Sequence, residues 1–176
     1  MKFLRFFLII FISLTTTVKA DLNKKLINQL EEGGKLIFIR HAYAPGSGDP
    51  DNFDLSNCAS QRNLSQEGIN QAKTINSFFL KSNLSSNLVL SSEWCRCKET
   101  AKYAFNNYET KSFLNSFFSQ KFAHNKDKQM KELKGYIINW DGKKNLILVT
   151  HYVVISEILN ILALLTDSLT SIIQIW

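Results

Sequence analysis

The sequence predicts an α/β domain, a three-layer α/β/α sandwich with a mostly parallel central sheet. Two continuous apolar runs, at residues 35–40 and 145–150, are typical of strands that are covered on both faces, as in a parallel sheet. Strand-like runs alternate with amphipathic helical patterns, which favours the same class. The composition agrees, because 176 residues with 45% hydrophobic and 20% charged side chains fit one globular domain and exclude collagen-like or disordered chains.

The first twenty residues are typical of a secretion signal rather than of a folded domain. Lys2 and Arg5 precede an apolar stretch over residues 6–14, and Ala20 ends a small-residue cleavage pattern. We therefore predict a signal peptide at 1–20 and a domain at 21–176 that is periplasmic or secreted. The alternative is an uncleaved membrane anchor, although the apolar stretch is shorter than the roughly 20 residues of a transmembrane helix.

The charge of the chain is only weakly informative about partners. Its net charge is +6, but three of the basic residues lie in the first twenty, so the predicted domain has a small basic excess and we expect no nucleic-acid partner. A membrane-surface role for the lysine-rich segment 111–144 is an alternative. Its lysines alternate with acidic residues, as on an ordinary solvated helix face, and no later stretch predicts a stable membrane span.

Apolar periodicity and turn residues predict the elements in order. A helix capped by Asp21 ends at Gly33-Gly34, a strand follows at 35–40, and residues 43–61 form a long loop. Ser65 caps the next helix. The remaining predictions are a strand at 88–90, a helix at 93–108, a weak strand at 113–114, a helix at 126–140, a strand at 145–150, a helix at 153–165 and an edge strand at 171–175.

Residues suited to binding an anion lie at the ends of the predicted strands. Arg40-His41 end the first strand, Arg96 lies about one helical turn beyond the second, and His151 follows the strand over 145–150. Ligands bind where the carboxyl ends of parallel strands meet, so we expect these four side chains at one rim. The third histidine, His124, lies in a polar stretch and is expected to be solvated.

This set of side chains points to phosphoryl transfer. Guanidinium groups are permanently charged and pair with two phosphate oxygens, whereas a neutral imidazole is a nucleophile at neutral pH. His41 would attack phosphorus while Arg40, Arg96 and His151 stabilise the charge on its oxygens, and water would cleave the phosphohistidine. Taken singly, each residue has an ordinary alternative: a hydrogen-bonded structural histidine or an exposed helical arginine.

Four motifs, in this order, resemble the signatures of the histidine phosphatase superfamily, whose fold is phosphoglycerate-mutase-like. The set is specific, although an Arg-His pair alone is common, and it spans most of the predicted domain. Within the superfamily the chain resembles small exported bacterial members. The motifs are Arg40-His41-Ala42 after a strand, the segment Gln61–Gly68, the Ser91-Ser92 strand end leading to Arg96 and Glu99-Thr100-Ala101, and Thr150-His151 after a strand.

The resemblance implies a phosphomonoesterase with a role for each matched residue. His41 would be the phosphorylated nucleophile, Arg40, Arg96 and His151 would bind the phosphoryl group, and Arg62 would lie near the rim. It also implies no metal ion and no organic cofactor, and the sequence has no convincing metal-ligand spacing. The substrate would be a small phosphorylated molecule or an exposed phosphate on a larger one.

The proton donor for the leaving group departs from the family pattern. Many members have a Glu or Asp in regions where this chain has Asn115 and Tyr152. Glu93, close to Arg96 in sequence, is our candidate, with a solvated surface carboxylate as the ordinary interpretation. Three more carboxylates on the long loop are also candidate donors, and each has the same ordinary interpretation as a solvated surface group: Asp49, Asp51 and Asp54. The missing donor also supports an alternative function, a non-catalytic phosphate- or phosphosugar-binding module.

Three cysteines in an exported protein favour one disulfide and one free thiol. Cys58 precedes Arg62, and Cys95 and Cys97 flank Arg96. If both arginines approach one site, as the resemblance implies, Cys58 can pair with Cys95 or with Cys97. The alternatives are three reduced core thiols or a Cys-x-Cys copper or redox site.

Overall fold

The computed structural model describes residues 24–84, 87–163 and 172–175. The chain divides into two units, residues 1–33 and residues 34–176. The described part of the first unit is a helix, α1, over residues 24–31. The predicted signal peptide at 1–20 and the predicted cap at Asp21 lie outside the described residues.

The second unit is built on one parallel sheet of five strands. These are β1 (Leu36–Arg40), β2 (Asn87–Ser91), β3 (Glu109–Thr110), β4 (Asn145–Thr150) and β5 (Ile172–Ile175). Their order is β3-β2-β4-β1-β5, and neighbouring strands pair in parallel. The prediction of a parallel sheet is confirmed, and so is the prediction of an edge strand near the end of the chain.

Helices cover both faces of this sheet. They are α2 (Gln66–Lys81), α3 (Cys95–Phe105), α5 (Lys126–Asn139) and α6 (Tyr152–Ala163), and a short helix, α4 (Gln120–Ala123), precedes α5. On one face, Leu36 and Phe38 of β1 pack in a cluster with Leu133 of α5 and Ile155 of α6. The alternate β1 residue Ile37 is fully buried and faces the other side, where α3 contacts β2 and β4 and packs on α2. The predicted three-layer sandwich is therefore confirmed.

One predicted element is wrong. Residues 113–114 were expected in a strand, but Ser112–Leu114 form a 3-10 helix, and the short strand β3 precedes it. The backbone carbonyls here bond to side chains instead of to a neighbouring strand. Thr150 Oγ1 donates to the Leu114 carbonyl at 2.6 Å, and Gln129 Nε2 donates to the Ser112 carbonyl at 2.7 Å.

The start of α2 fixes the loop that follows β1. Ser65 caps the helix as predicted, since its hydroxyl accepts from the Gly68 N–H at 3.2 Å, and its own N–H donates to the Tyr43 carbonyl at 3.1 Å. A Cβ atom at Gly68 would lie 2.1 Å from that same carbonyl oxygen, so only glycine permits this approach.

Two predicted element boundaries near the end of the chain are not covered by the structure. The predicted end of the last helix at Leu165 and the predicted start of the last strand at Ser171 lie outside the described residues. Within the described ranges, none of the helices has the length and apolar character needed to cross a bilayer.

Candidate active site

Strand register places His41 and His151 side by side. Arg40 pairs with Thr150 in the ladder between β1 and β4, and a histidine follows each of them. The His41 N–H donates to the Thr150 carbonyl at 2.9 Å, which extends the ladder by one bond. The imidazole centroids are 5.5 Å apart in an edge-on arrangement, and both side chains are buried.

The two histidines line a cavity of about 510 Å³ at the carboxyl ends of the strands. The three arginines from the sequence analysis line it as well. The structure therefore brings together all the residues for which we expected a nucleophilic or phosphate-binding role, which are Arg40, His41, Arg62, Arg96 and His151.

His41 has the tautomer that a nucleophilic imidazole needs. Its Nδ1 lies 2.8 Å from the Ala42 carbonyl oxygen, and since a carbonyl only accepts, Nδ1 carries the hydrogen and Nε2 keeps its lone pair. Burial, and to a lesser extent the positive charges of Arg96, Arg62 and Arg40, lower the pKa of His41 to about 3. The imidazole is therefore neutral at physiological pH.

A chain of hydrogen bonds fixes the tautomer of His151. The Asn115 side chain donates to a Glu93 carboxylate oxygen at 2.6 Å, and its Oδ1 accepts from the Glu93 N–H at 2.9 Å. That orientation makes Oδ1 the acceptor for the Ser92 hydroxyl at 3.0 Å. Ser92 Oγ then accepts from His151 Nε2 at 3.0 Å, which leaves Nδ1 without a hydrogen while burial lowers the pKa of His151.

Glu93 contributes to this chain instead of to the cavity wall. It is absent from the cavity lining among the described residues, and its carboxylate bonds to Asn115. The structure therefore does not bring our candidate proton donor to the site where a leaving group would lie.

Arg96 is held by a carboxylate that the sequence analysis treated as solvated. Arg96 is 3% exposed and Asp49 13% exposed. The two terminal nitrogens, Nη1 and Nη2, donate to the two Asp49 oxygens at 2.7 and 3.1 Å. Asp49 also accepts from Trp94 Nε1 at 3.0 Å and from the Arg62 N–H at 3.1 Å. The surface interpretation of Asp49 is wrong, because loop geometry buries it beside Arg96.

The electrostatics of Asp49 follow from these donors. Burial alone would raise the pKa of its carboxyl group, but the hydrogen bonds and charge of Arg96, with the Trp94 bond, outweigh burial and hold the pKa below its usual value. Arg96 Nε is buried and has no partner among the described residues, so one N–H of the guanidinium remains available to an anion.

Arg62 organises the loop as well as lining the cavity. Its Nε donates to the Gly48 carbonyl at 2.7 Å, and its Nη1 donates to the Ala44 carbonyl. Gly46 and Gly48 have positive φ angles of 87° and 69°, which glycine adopts without strain. The loop thus wraps around the Arg62 side chain and brings Asp49 to Arg96.

A disulfide ties this loop to the first turn of α3. Cys58 and Cys95 are bonded, with Cα atoms 5.6 Å apart, which is one of the two pairings left open by the sequence. Cys97 is free and buried, and burial raises its pKa to about 12, so its thiol stays protonated at physiological pH. Because Cys95 is bonded, the Cys95–Cys97 pair is not available as a two-thiol metal or redox site.

Aromatic side chains form part of the cavity wall, and the sequence analysis missed them. Phe53 stacks on Trp94 with centroids 4.9 Å apart, and Phe122 meets both rings edge-on. Phe118 and Tyr152 line the same cavity although they are 64% and 52% exposed. Their spacing along the chain follows no periodicity, so only the folded loops reveal the wall.

Metal-ligand groups are not evident in the part of the chain that the structure describes. Within those residues, no three or more His, Cys, Asp or Glu side chains are grouped so as to hold a metal ion. Besides the imidazoles and guanidiniums, the charged side chains that line the cavity are Asp49, Asp51 and Lys121.

Solved structures with a similar fold include three bacterial proteins. A protein provisionally assigned as an α-ribazole-5′-P phosphatase from Escherichia coli K-12 aligns with a TM-score of 0.57 at 19% identity, over 73% of this chain and 79% of its own. The α-ribazole phosphatase from Shigella flexneri aligns with a TM-score of 0.53 at 17% identity, over 73% of this chain and 79% of its own. A protein provisionally assigned as the phosphohistidine phosphatase SixA from Agrobacterium tumefaciens aligns with a TM-score of 0.51 at 19% identity, over 71% of this chain and 74% of its own.

The chain has the histidine phosphatase fold. At these identities the likeness establishes the architecture, and it confirms the fold that the four sequence motifs implied. No protein-family model matches the sequence, and no curated protein matches it significantly.

Proposed function

We propose that this protein is a phosphomonoester hydrolase that works through a phosphohistidine on His41. Arg40, Arg96 and His151 bind the phosphoryl group, and Arg62 supports the rim. The observation that carries the proposal is the meeting of a neutral, correctly protonated His41 with three arginines in one cavity. The neighbours in fold are described as phosphatases, which supports the same reaction class.

The nucleophile is supported by its surroundings. A hydrogen on Nδ1, held by the Ala42 carbonyl, leaves the Nε2 lone pair for attack on phosphorus without a general base. The arginines that lower the pKa of His41 also attract the dianionic phosphoryl group, so the charges that keep the imidazole neutral bring the substrate to it.

The backbone supports anion binding at the same place. Helix α6 begins at Tyr152, directly after His151, and α3 begins at Cys95, directly before Arg96. The N-terminus of each helix therefore lies at the rim, where its N–H groups and dipole favour a phosphate. The reaction as proposed uses no metal ion and no organic cofactor.

The substrate is proposed as a small phosphorylated molecule or an exposed phosphate on a larger one, with no nucleic-acid partner and no stable membrane span. The same proposal places the protein in the periplasm or outside the cell after removal of residues 1–20. The buried disulfide partner Cys95 supports an oxidising compartment.

Trapping the covalent intermediate tests this function. Protein mixed with a ³²P-labelled phosphomonoester and quenched rapidly in alkaline denaturant is expected to carry a label that is stable to alkali, lost in acid and located on His41. His41→Ala is expected to lower turnover of p-nitrophenyl phosphate by at least about 10³-fold. His124→Ala, at an exposed histidine, is the matched control and is expected to keep wild-type turnover.

A non-catalytic phosphate-binding module is the second candidate, and one observation favours it. Asn115, in the region where many family members have a carboxylate, bonds to Glu93 and Ser92, and its amide group is too weak an acid to protonate a leaving group. Binding of inorganic phosphate without turnover and without a label on His41 would establish this alternative.

A further inference from the structure

The Asp49 carboxylate occupies the position on Arg96 where an anion would bind. A guanidinium binds a phosphoryl group with two parallel N–H···O bonds, and Asp49 already accepts such a pair at 2.7 and 3.1 Å. A phosphoryl group that binds Arg96 therefore either replaces Asp49 or binds next to it through Nε, which is buried without a partner among the described residues. Both cases place the substrate beside this carboxylate.

Asp49 is also the carboxylate best placed for chemistry in the cavity. Of the acidic residues that the structure describes, Asp49 and Asp51 line the cavity. Asp51 is exposed, whereas Asp49 is 13% exposed. Glu93 does not line it, and its carboxylate is bonded to Asn115.

We propose that Asp49 is the general acid that protonates the leaving group and the general base that then activates water. This assignment rests on the proposed phosphatase function. In the first step, His41 Nε2 forms a bond to phosphorus, the bond from phosphorus to the ester oxygen breaks, and the leaving oxygen takes the proton of Asp49. In the second, Asp49 takes a proton from water as the water oxygen bonds to phosphorus and the N–P bond breaks, which restores neutral His41.

The charges around Asp49 allow this change of role. In the free protein burial opposes ionisation of Asp49, but the facing Arg96 guanidinium and the hydrogen bonds from Trp94 and from the Arg62 backbone N–H outweigh it and keep the carboxylate ionised. A bound phosphoryl dianion shares the same guanidinium, so it weakens that ion pair and adds a like charge beside Asp49. The carboxylate then takes up a proton from the substrate monoanion or from solvent, and passes it to the leaving oxygen.

The dependence on the leaving group tests the proposal. Asp49→Asn keeps the shape and an acceptor oxygen but carries no transferable proton. We expect it to lower kcat/KM for glycerol 2-phosphate, whose alkoxide leaves poorly, by about 10²-fold or more. We expect p-nitrophenyl phosphate, whose phenolate needs little protonation, to lose less than about tenfold. Equal losses on both substrates would overturn the assignment, because they would reduce Asp49 to a structural partner of Arg96.

Two variants control for effects on the fold and on cavity charge. Asp51→Asn removes the other carboxylate of the cavity and is expected to change both rates by a similar small factor. Asp49→Glu retains an acid and is expected to recover part of the glycerol phosphate activity. Failure of Asp49→Glu to exceed Asp49→Asn on that substrate contradicts the proposal.

A measurement on the unmodified protein covers the case in which Asp49→Asn does not fold. Across substituted phenyl phosphates, the rate of His41 phosphorylation is expected to depend only weakly on the basicity of the phenolate, because the acid offsets it. A steep dependence overturns the role of Asp49 while leaving the labelled His41 intact. Absence of any label on His41 would instead overturn the proposed function itself.

Discussion

Ser92 Oγ lies 3.0 Å from Nε2 of His151 and accepts a hydrogen bond from it, so the imidazole hydrogen is on Nε2 and not on Nδ1. Because the Ser92 hydroxyl donates onward to Asn115, the direction of the bond is set by the network and not by His151 itself. The tautomer of a catalytic histidine is commonly fixed in this way by the bond that its second nitrogen makes.

Ser92→Ala removes this constraint. We expect kcat for p-nitrophenyl phosphate to fall by about tenfold or more, because part of the His151 population then presents the wrong nitrogen to the phosphoryl group. The pH profile of kcat is expected to change shape as well. Steady-state kinetics between pH 5 and 9 measures both effects.

Ser91→Ala is the matched control for Ser92→Ala. Ser91 is equally buried, but its hydroxyl donates to the Ser92 backbone carbonyl and, in contrast to the Ser92 hydroxyl, accepts no hydrogen bond from His151. Similar losses and unchanged pH profiles in both variants would mean that packing, and not the His151 tautomer, is responsible.

The buried histidines make the fold sensitive to acid. The pKa of His41 falls from its ordinary 6.5 to about 3 on folding, so between these values the unfolded chain binds more protons than the folded one. The free energy of unfolding therefore decreases as pH falls through this window. From His41 alone the loss reaches about 3 kcal/mol at pH 4, and the lowered pKa of His151 adds to it.

His41→Asn is expected to weaken this dependence, since the substituted side chain does not titrate. Urea unfolding at pH 7 and pH 4 measures the difference in the free energy of unfolding for each protein. His124→Asn, at an exposed position, is expected to keep the wild-type dependence. A wild-type protein equally stable at both pH values would contradict the burial of a neutral His41.

Gly68→Ala tests the close approach of α2 to the loop after β1. The added Cβ would lie 2.1 Å from the Tyr43 carbonyl oxygen, so the helix or the loop must move. We expect the free energy of unfolding to fall by about 1–3 kcal/mol, measured by urea unfolding. The cavity depends on this loop, so turnover is expected to fall too.

Gly135→Ala is the control for that substitution. Gly135 lies within α5, and a Cβ there meets nothing within 4 Å. We expect this variant to be more stable by about 0.5–1 kcal/mol, because alanine has the higher helix propensity. Equal effects of the two substitutions would contradict the steric argument at Gly68.

The Cys58–Cys95 disulfide is expected to stabilise the domain by about 2–4 kcal/mol, since it links residues 37 positions apart in sequence and restricts the unfolded chain. Dithiothreitol should therefore lower the Tm of the wild-type protein. In the double variant Cys58→Ser/Cys95→Ser, the reductant should have no further effect. An unchanged wild-type Tm on full reduction would contradict this contribution.

The sequence was sufficient for the parts of the fold that depend on periodicity. The apolar runs of β1 and β4 predicted two buried strands with their carboxyl ends at one rim. Their direct pairing in register, which the structure adds, explains why His41 and His151 meet. The error at Phe113 has a local cause. The apolar pair Phe113-Leu114 fits the pattern of a strand, but the side chains of Gln129 and Thr150 donate to the carbonyls around it. Because these side chains are distant in sequence, the local periodicity of residues 113–114 does not indicate their effect.

The candidate site was predictable where strands position it and not where loops do. Asp49 belongs to a loop whose path depends on positive φ at Gly46 and Gly48 and on the bonds of Arg62 to the loop carbonyls. A Gly-x-Gly-Asp run in a long loop was the available signal. It marks a tight backbone path but does not reveal which cation the aspartate meets.

The indole of Trp94 offers an optical reporter of ligand binding. It donates to the same carboxylate that pairs with Arg96, so an anion that displaces Asp49 also breaks the hydrogen bond of the indole. Titration with inorganic phosphate should accordingly shift tryptophan emission, and Trp94→Phe should abolish the shift. Occupancy of the cavity could then be followed without any turnover.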